Sequence, residues 1–152
     1  MSKYVKDLIT RELTETLYDG LDLRAEIRTV LVRKLGDTVL LWDGDSRLAG
    51  FAICHCGPAS EAGADCCFVK FGAVRPRPAA EGRFAALLDA CAALAVAAGM
   101  TNVVAGVNLA REEAYRTMLG RGFRTQIQGV TMHRPNEPGY SRPGLFVLDD
   151  WR

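Results

Sequence analysis

The sequence predicts a single α/β domain, built on a central, mostly antiparallel mixed sheet with helices on both faces. Its 152 residues suit one compact domain with a real hydrophobic core. Residues 38–74 contain three strand-like apolar runs joined by turn-rich loops, the pattern of antiparallel hairpins. From residue 80 onwards, helical and strand patterns alternate, which is typical of strands that lie parallel to a neighbour.

Charge and composition disfavour several classes of protein. The net charge is +1 and no block of like charges occurs, so nothing indicates a nucleic acid or an anionic membrane as partner. The longest apolar run, residues 84–98, is too short to span a bilayer. The chain starts without the apolar core of a secretory signal. Its five cysteines are an odd number, which disfavours the disulfide framework of a secreted protein. We therefore expect a cytoplasmic protein.

Two helices are predicted before the sheet. Gly20 provides a stop for the first helix, and a second is expected from Asp22, a good N-cap residue, to Gly36. The first helix is indicated by apolar residues at helical spacing, which are Val5, Leu8, Ile9, Leu13 and Leu17.

Three strands follow in hairpin order. Residues 38–42 and 48–55 flank a turn rich in Asp and Gly at 43–47. After a loop at 57–65, the third strand covers 66–74 and ends before Pro76, which has no N–H for a further ladder bond.

The second half alternates between helices and strands. The clearest helix covers 80–98 and is followed by a glycine, and a short buried strand covers 102–107. A further helix is predicted over 111–119. Residues 123–128 alternate apolar and polar, which predicts a strand with one wet face. A last strand at 145–148 completes the order α-α-β-β-β-α-β-α-β-β within one domain, residues 1–152.

The most specific motif is VRPRPAAEGRFAALL at residues 74–88. Val74, Pro76, Gly82 and the pair Leu87-Leu88 stand in register with the V-x-P, Gly-rich turn and Leu-Leu helix of the GNAT acetyltransferase superfamily, which this stretch resembles. In that family the backbone N–H groups at the helix N-terminus hold the pyrophosphate of acetyl-CoA. The resemblance, over residues 37–134, implies the GNAT fold and acetyl-CoA as co-substrate.

The loop also departs from the family pattern. Ala79 stands where Arg or Gln is usual, and Ala80 replaces a glycine. Phe84 replaces a small residue, so its ring must either turn into the core or fill part of the phosphate cradle. Positive charge could be restored by three neighbouring arginines, Arg75, Arg77 and Arg83.

A second block extends the resemblance. Asn108, Ala110, Ala114 and Tyr115 are similar to the family's N-x-x-A-x-x-x-Y pattern, which follows a strand. The resemblance implies that the asparagine lies near the pantetheine arm and that the tyrosine protonates the departing thiolate. A phenol of pKa about 10 suits a thiolate of pKa about 8.5 in this role. If the motif is aligned from the end of the helix instead, Met118 and not Tyr115 falls at the position of the tyrosine. The alternative for Asn108 is that it is only a turn or helix-cap residue.

The resemblance thus implies an N-acetyltransferase that acts by direct attack of an amine on the thioester. The acceptor would be a small-molecule or peptide amine, the protein a possible homodimer by the family's habit, and no metal would be needed. The implied catalytic acid is Tyr115, and the implied CoA contacts are Ala73, Val74, Ala79, Ala80, Glu81, Gly82, Arg83, Phe84 and Asn108.

A rival hypothesis follows from the same departures. The altered loop, and the short stretch of residues 1–6 that is available for the family's first strand, fit a GNAT-like module without catalysis that binds acyl-CoA or dimerises. Either that strand is missing or the chain belongs to a longer protein. The last strand either finishes the sheet or exposes Phe146 and Trp151 to a second copy.

Two further groups of residues are only weak indications of a functional site. The spacing of Cys54-His55-Cys56 and Cys66-Cys67 lacks the CxxC pairs of a structural zinc site, although Cys54 and Cys56 would share one face of a strand. We expect small buried cysteines instead, as for Cys91 on the long helix. His55 and Asp65 could lie near the substrate side.

Overall fold

The structure is a computed structural model that describes residues 10–44 and 46–150. It confirms the predicted α/β class. A five-stranded sheet has the order β1-β2-β3-β4, and β5 pairs with β3 off this path. The strands are β1 (Gly36–Trp42), β2 (Leu48–Cys56), β3 (Cys66–Val74), β4 (Asn102–Ala105) and β5 (Val147–Asp149).

The described helices lie close to their predicted positions. They are α1 (10–15), α2 (Arg24–Arg33), α3 (Ala80–Ala97) and α4 (Glu112–Gly120). Val5, Leu8 and Ile9, predicted for the first helix, lie outside the described residues. The predicted closure of α2 at Gly36 is wrong, because the helix ends at Arg33 and is capped by Lys34, which adopts a left-handed conformation with φ 54°.

Gly36 instead opens β1 in close contact with β2. A Cβ at this position would overlap the backbone carbonyl oxygen of Cys54. Gly36→Ala should therefore lower the free energy of unfolding by about 1–3 kcal/mol, as overpacking does. Gly44 has no atom within 4 Å of the corresponding position, so Gly44→Ala is the matched control. Urea unfolding that gives the same stability for both variants would contradict this packing.

Strand β3 is the centre of the sheet. One edge pairs antiparallel with β2, and a β-bulge makes Lys70 an extra residue, because Ile53 pairs with Phe71 but Cys54 pairs with Val69. The other edge is shared: β4 runs parallel to the first half of β3, and β5 runs antiparallel to residues Phe71–Ala73. The sheet is therefore mixed but mostly antiparallel, as predicted.

Two apolar layers cover the two faces of the sheet. The layer that includes residues of α3 and α4 contains Phe84, Leu87 and Met118, and the layer that includes residues of α1 and α2 contains Leu13, Ile27 and Val30. The prediction of helices on both faces is confirmed.

The predicted strand at 123–128 is wrong. These residues form neither helix nor strand, and most of their side chains are exposed, with Ile127 75% accessible. The last strand is shifted to Val147–Asp149, and Phe146 is buried rather than exposed. Trp151 lies outside the described residues. Within the described part of the chain, no helix combines the length and hydropathy needed to cross a membrane.

Candidate functional site

The first turn of α3 has backbone N–H groups that no side chain caps. Ala79 precedes the helix in a left-handed conformation with φ 60°. The N–H of Arg83 closes a helical turn on the carbonyl oxygen of Ala79. Ala80 is buried in the core, whereas Glu81 and Gly82 are exposed, and a Cβ at Gly82 would meet no atom within 4 Å. This turn, which we call the cradle, can bind an anion through its N–H groups, but the exposed carboxylate of Glu81 opposes an anion there.

Phe84 does not block the cradle. Its side chain is completely buried, and its ring lies 5.4 Å from that of Phe146, centroid to centroid. Of the two orientations that the sequence left open, the ring therefore takes the one directed into the core.

The three arginines near the loop differ in their roles. Arg75 is buried, donates from Nε to the carbonyl oxygen of Leu48 at 2.6 Å and pairs with Glu12 at 2.8 Å. The expectation that Arg75 adds charge to the cradle is therefore wrong. Arg83 donates to the carbonyl oxygen of Pro78 at 3.0 Å and lies 3.7 Å from Asp43. Arg77 is exposed at the start of the loop.

An open pocket lies beside the cradle. It has a volume of about 320 Å³ and lies between the first turns of α3 and the turn that joins β1 to β2. Trp42, 38% exposed, forms part of its wall, together with Leu41, Ala49 and Arg83. The pocket offers an apolar and aromatic surface beside the paired charges of Arg83 and Asp43, which also lines it.

The cleft between β3 and β4 is filled by the chain itself. The two strands pair only from Cys66 to Val69 on β3, and beyond that point β5 takes the place of β4. Ala73 pairs with Val147, and the N–H of Val74 donates to the carbonyl oxygen of Phe146 at 3.3 Å. On its other side β5 donates from Asp149 N–H to the carbonyl oxygen of Gly106 at 3.1 Å.

Residues 145–149, which we call the C-terminal segment, are an integral part of the core. Leu145, Phe146, Val147 and Leu148 are at most 6% exposed. Their side chains alternate between the two apolar layers of the sheet. The segment therefore has the burial of an interior strand and not that of a loosely attached tail.

Ion pairs hold the end of this segment. Arg111, fully buried just before α4, donates to both carboxylate oxygens of Asp149, at 2.6 and 3.2 Å. Lys70, at the bulge of β3, donates to Asp150 at 2.8 Å. The guanidinium of Arg111 also lies 5.6 Å from the ring centroid of Tyr140, whose pKa is raised by burial and by Asp149. No periodic pattern in the sequence indicates Arg111 or Asp149, since 38 residues separate them.

His55 lies in the same charged network. Its Nδ1 lies 3.1 Å from Oε1 of Glu61, although the two are too poorly aligned for a well-formed hydrogen bond, and Glu61 accepts from Lys70 at 2.8 Å. Burial lowers the pKa of His55, and the Glu61 carboxylate opposes this only in part. His55 is therefore neutral at pH 7. Asp65 is exposed, and its backbone carbonyl accepts from Asn102 at the start of β4.

Asn108 and Tyr115 are both in local contacts. The Oδ1 of Asn108 accepts from the backbone N–H of Ala110 at 2.9 Å, the arrangement of a turn residue before a helix. Tyr115 is half-buried on α4, and its hydroxyl lies 3.1 Å from that of Thr125. The structure brings the phosphate-loop residues together, but it separates Ala73 and Val74 from solvent behind β5.

These observations test whether acetyl-CoA fits. Unpaired N–H groups at a helix N-terminus and an apolar, aromatic wall are the kinds of group that bind a phosphate and a base, and both are present at α3. The pantetheine arm does not fit where the resemblance implies it, because the edge of β3 at residues 71–74 is already paired with the C-terminal segment. The described residues contain no group of three or more side chains that could hold a metal ion.

Fold and site together define a mixed α/β domain whose central strands diverge around its own last strand. Solved structures with a similar fold include two of TTHA1254 from Thermus thermophilus. A point mutant has a TM-score of 0.62 at 19% identity, and the wild type 0.60 at 18%, each over 88% of this chain and 92% of that one. No protein-family model and no curated protein sequence matches the chain.

Proposed function

We propose that this chain is a GNAT-like binding module without transferase activity. It holds the nucleotide half of an acyl-CoA at α3, and its C-terminal segment keeps the pantetheine arm out of the sheet. The single observation that supports this proposal most is the pairing of β5 with Phe71–Ala73 of β3.

The free energies involved argue against displacement of β5 by the ligand. Burial of one large apolar side chain stabilises a fold by about 1.5–3 kcal/mol, so exposing four would cost about 6–12 kcal/mol. Micromolar binding supplies only about 8 kcal/mol, and a small domain has about 5–15 kcal/mol in all. Displacement of residues 145–149 would therefore use up either the binding energy or the stability of the domain.

The cradle and the Trp42 pocket support the nucleotide part of the proposal. The helix dipole and the N–H groups of the first turn of α3 favour phosphate, and the exposed Arg77 supplies charge beside it, whereas Arg83 is paired with Asp43. The indole of Trp42 offers a flat apolar face on which an adenine base can stack, as bases do on aromatic side chains.

The test is calorimetric titration with acetyl-CoA, desulfo-CoA and the nucleotide half of CoA alone. We expect the three ligands to bind with the same affinity, since the arm makes no contact in the cleft. Much tighter binding of the two complete cofactors would show that the arm is bound, and would overturn the proposal. Binding by none of them would remove its nucleotide part.

Gly82→Ala tests the cradle separately from the fold. The added Cβ meets no atom, and alanine is more stable than glycine in a helix by about 0.5–1 kcal/mol, so the variant should be slightly more stable. Its nucleotide affinity should fall, because the methyl group stands where phosphates approach the backbone. Unchanged affinity would place the nucleotide elsewhere.

The transferase remains the second candidate, and the half-buried Tyr115 on α4 is the observation that favours it. In this reading Tyr115 protonates the leaving thiolate and the acceptor is an amine. If the chain is a binding module, we expect no release of CoA thiol from acetyl-CoA in a screen of small and peptide amines. If turnover is found and Tyr115→Phe abolishes it while nucleotide binding is kept, the transferase is the correct function.

We also propose that the protein is cytoplasmic. All five cysteines are free thiols, which is usual in a reducing compartment.

A further inference from the structure

Four of the cysteines lie in the apolar layer of the sheet that includes α3. The Sγ atoms of Cys54 and Cys91 lie 3.9 Å apart, and Cys56 and Cys67 are neighbours on β2 and β3. Cys54, Cys67 and Cys91 are completely buried, whereas Cys56 is half-buried at the end of β2. Of these four thiols, Cys56 is therefore the one that solvent reaches.

Cys56 and Cys67 lie directly opposite each other on β2 and β3. The N–H of Cys56 points to β1, where it donates to the carbonyl oxygen of Leu35 at 2.8 Å. The next residue, Gly57, donates to Cys66 across the β2–β3 ladder at 3.3 Å. Cys56 and Cys67 are thus a non-hydrogen-bonded pair, the type whose Cα atoms approach to about 4.5 Å.

This separation is compatible with a covalent bond. Disulfides span Cα distances of about 4.4–6.8 Å, so the pair can be joined without a change of strand register. The distance typical of such a pair lies within that range, and a disulfide at the half-buried Cys56 would be partly exposed, which is a property of readily reduced bonds.

We propose that Cys56 and Cys67 are a modification site: a small disulfide such as oxidised glutathione converts them to a reversible cross-strand disulfide. The bond would clamp the two ends of the loop at 57–65, which carries Glu61. Reversible bonds of this kind are the ones expected in a reducing compartment.

The reaction proceeds by two exchanges. The Cys56 thiolate attacks one sulfur of oxidised glutathione, the glutathione S–S bond breaks, and one glutathione thiolate leaves and takes up a proton. The Cys67 thiolate then attacks the Cys56 sulfur of the mixed disulfide, and the second glutathione leaves in the same way. Two thiols are oxidised and one disulfide is reduced to two thiols.

The surroundings of the two sulfurs make the second exchange the faster one. The neighbouring thiol of Cys54 lowers the pKa of Cys67 to about 7, although burial acts against it. Burial, and then the neighbouring thiol of Cys67, raise the pKa of Cys56 to about 12. The mixed disulfide should therefore form slowly and close quickly.

The test incubates the folded full-length chain with oxidised glutathione and measures intact mass and the disulfide peptides. We expect the wild type to lose two hydrogens and two of its five thiols, with Cys56 linked to Cys67. Cys67→Ser should instead accumulate one glutathionyl group on Cys56. Cys66→Ser is the matched control and should behave as the wild type, because Cys66 precedes Cys67 on the opposite face of β3.

Three results would overturn the proposal: a lasting glutathionyl adduct on the wild type, a disulfide between Cys54 and Cys91, or no reaction of the folded chain. Cys67→Ala serves in place of Cys67→Ser if the serine hydroxyl disturbs the core. Dithiothreitol should restore all five thiols, which separates the disulfide from irreversible oxidation.

Discussion

Phe84→Ala should lower the free energy of unfolding by about 3–5 kcal/mol, the usual loss when a buried phenylalanine is truncated to alanine. The ring of Phe84 is fully buried against Phe146, so its removal leaves a cavity between α3 and the C-terminal segment. Urea unfolding measures the loss directly.

Phe84→Leu is the matched control, since it keeps most of the apolar volume and should cost clearly less. Neither variant should improve nucleotide binding. If Phe84→Ala were as stable as the wild type and bound CoA more tightly, the ring would lie in the phosphate cradle and not in the core.

Asp149→Ala should have a comparable effect, about 3–5 kcal/mol, because it leaves the guanidinium of Arg111 buried without a counter-charge. Asp149→Asn keeps one acceptor oxygen, so its free energy of unfolding should fall by less. Arg111→Met should also lose less than Asp149→Ala, since the Asp149 side chain is 25% exposed and its carboxylate reaches water once its partner is gone.

Chemical denaturation of the three variants tests this order. A loss below about 1 kcal/mol for Asp149→Ala would be that of a surface ion pair. Such a result would mean that the C-terminal segment is not locked in the cleft by Arg111.

The sequence predicted those elements whose signals are local. Strand β3 is an apolar run interrupted only by Lys70 and followed by Pro76, and its predicted bounds are those of the structure. Helix α3 combines an apolar stripe with a following glycine, Gly99, at φ 74°, and its predicted end is wrong by one residue.

The wrong predictions concern residues whose structure depends on other residues distant in the sequence. The alternating pattern at 123–128 has the periodicity of a strand, but in the described part of the chain no neighbouring strand pairs with it. Arg75 stands beside the loop in the sequence and could have added charge to it, but in the structure Glu12 and the carbonyl oxygen of Leu48 compensate its burial. The position of β5 depends on pairing with residues more than 70 positions earlier, as in Phe71 with Asp149, and no local pattern encodes that.

The same non-local pairing determines the candidate site. The first turn of α3 could be inferred from residues 74–88, because all of its parts are contiguous. Whether the cleft between β3 and β4 is open or filled could not be inferred in this way, since it depends on which edge of β3 the C-terminal segment joins.

Backbone hydrogen exchange of residues 145–149, with and without saturating acetyl-CoA, tests the central claim most directly. Amides of an interior strand exchange only when much of the domain opens. We predict strong protection in the free protein and no change when acetyl-CoA is added. Faster exchange of this segment in the presence of acetyl-CoA would mean that the strand gives way to the pantetheine arm, and would contradict the account.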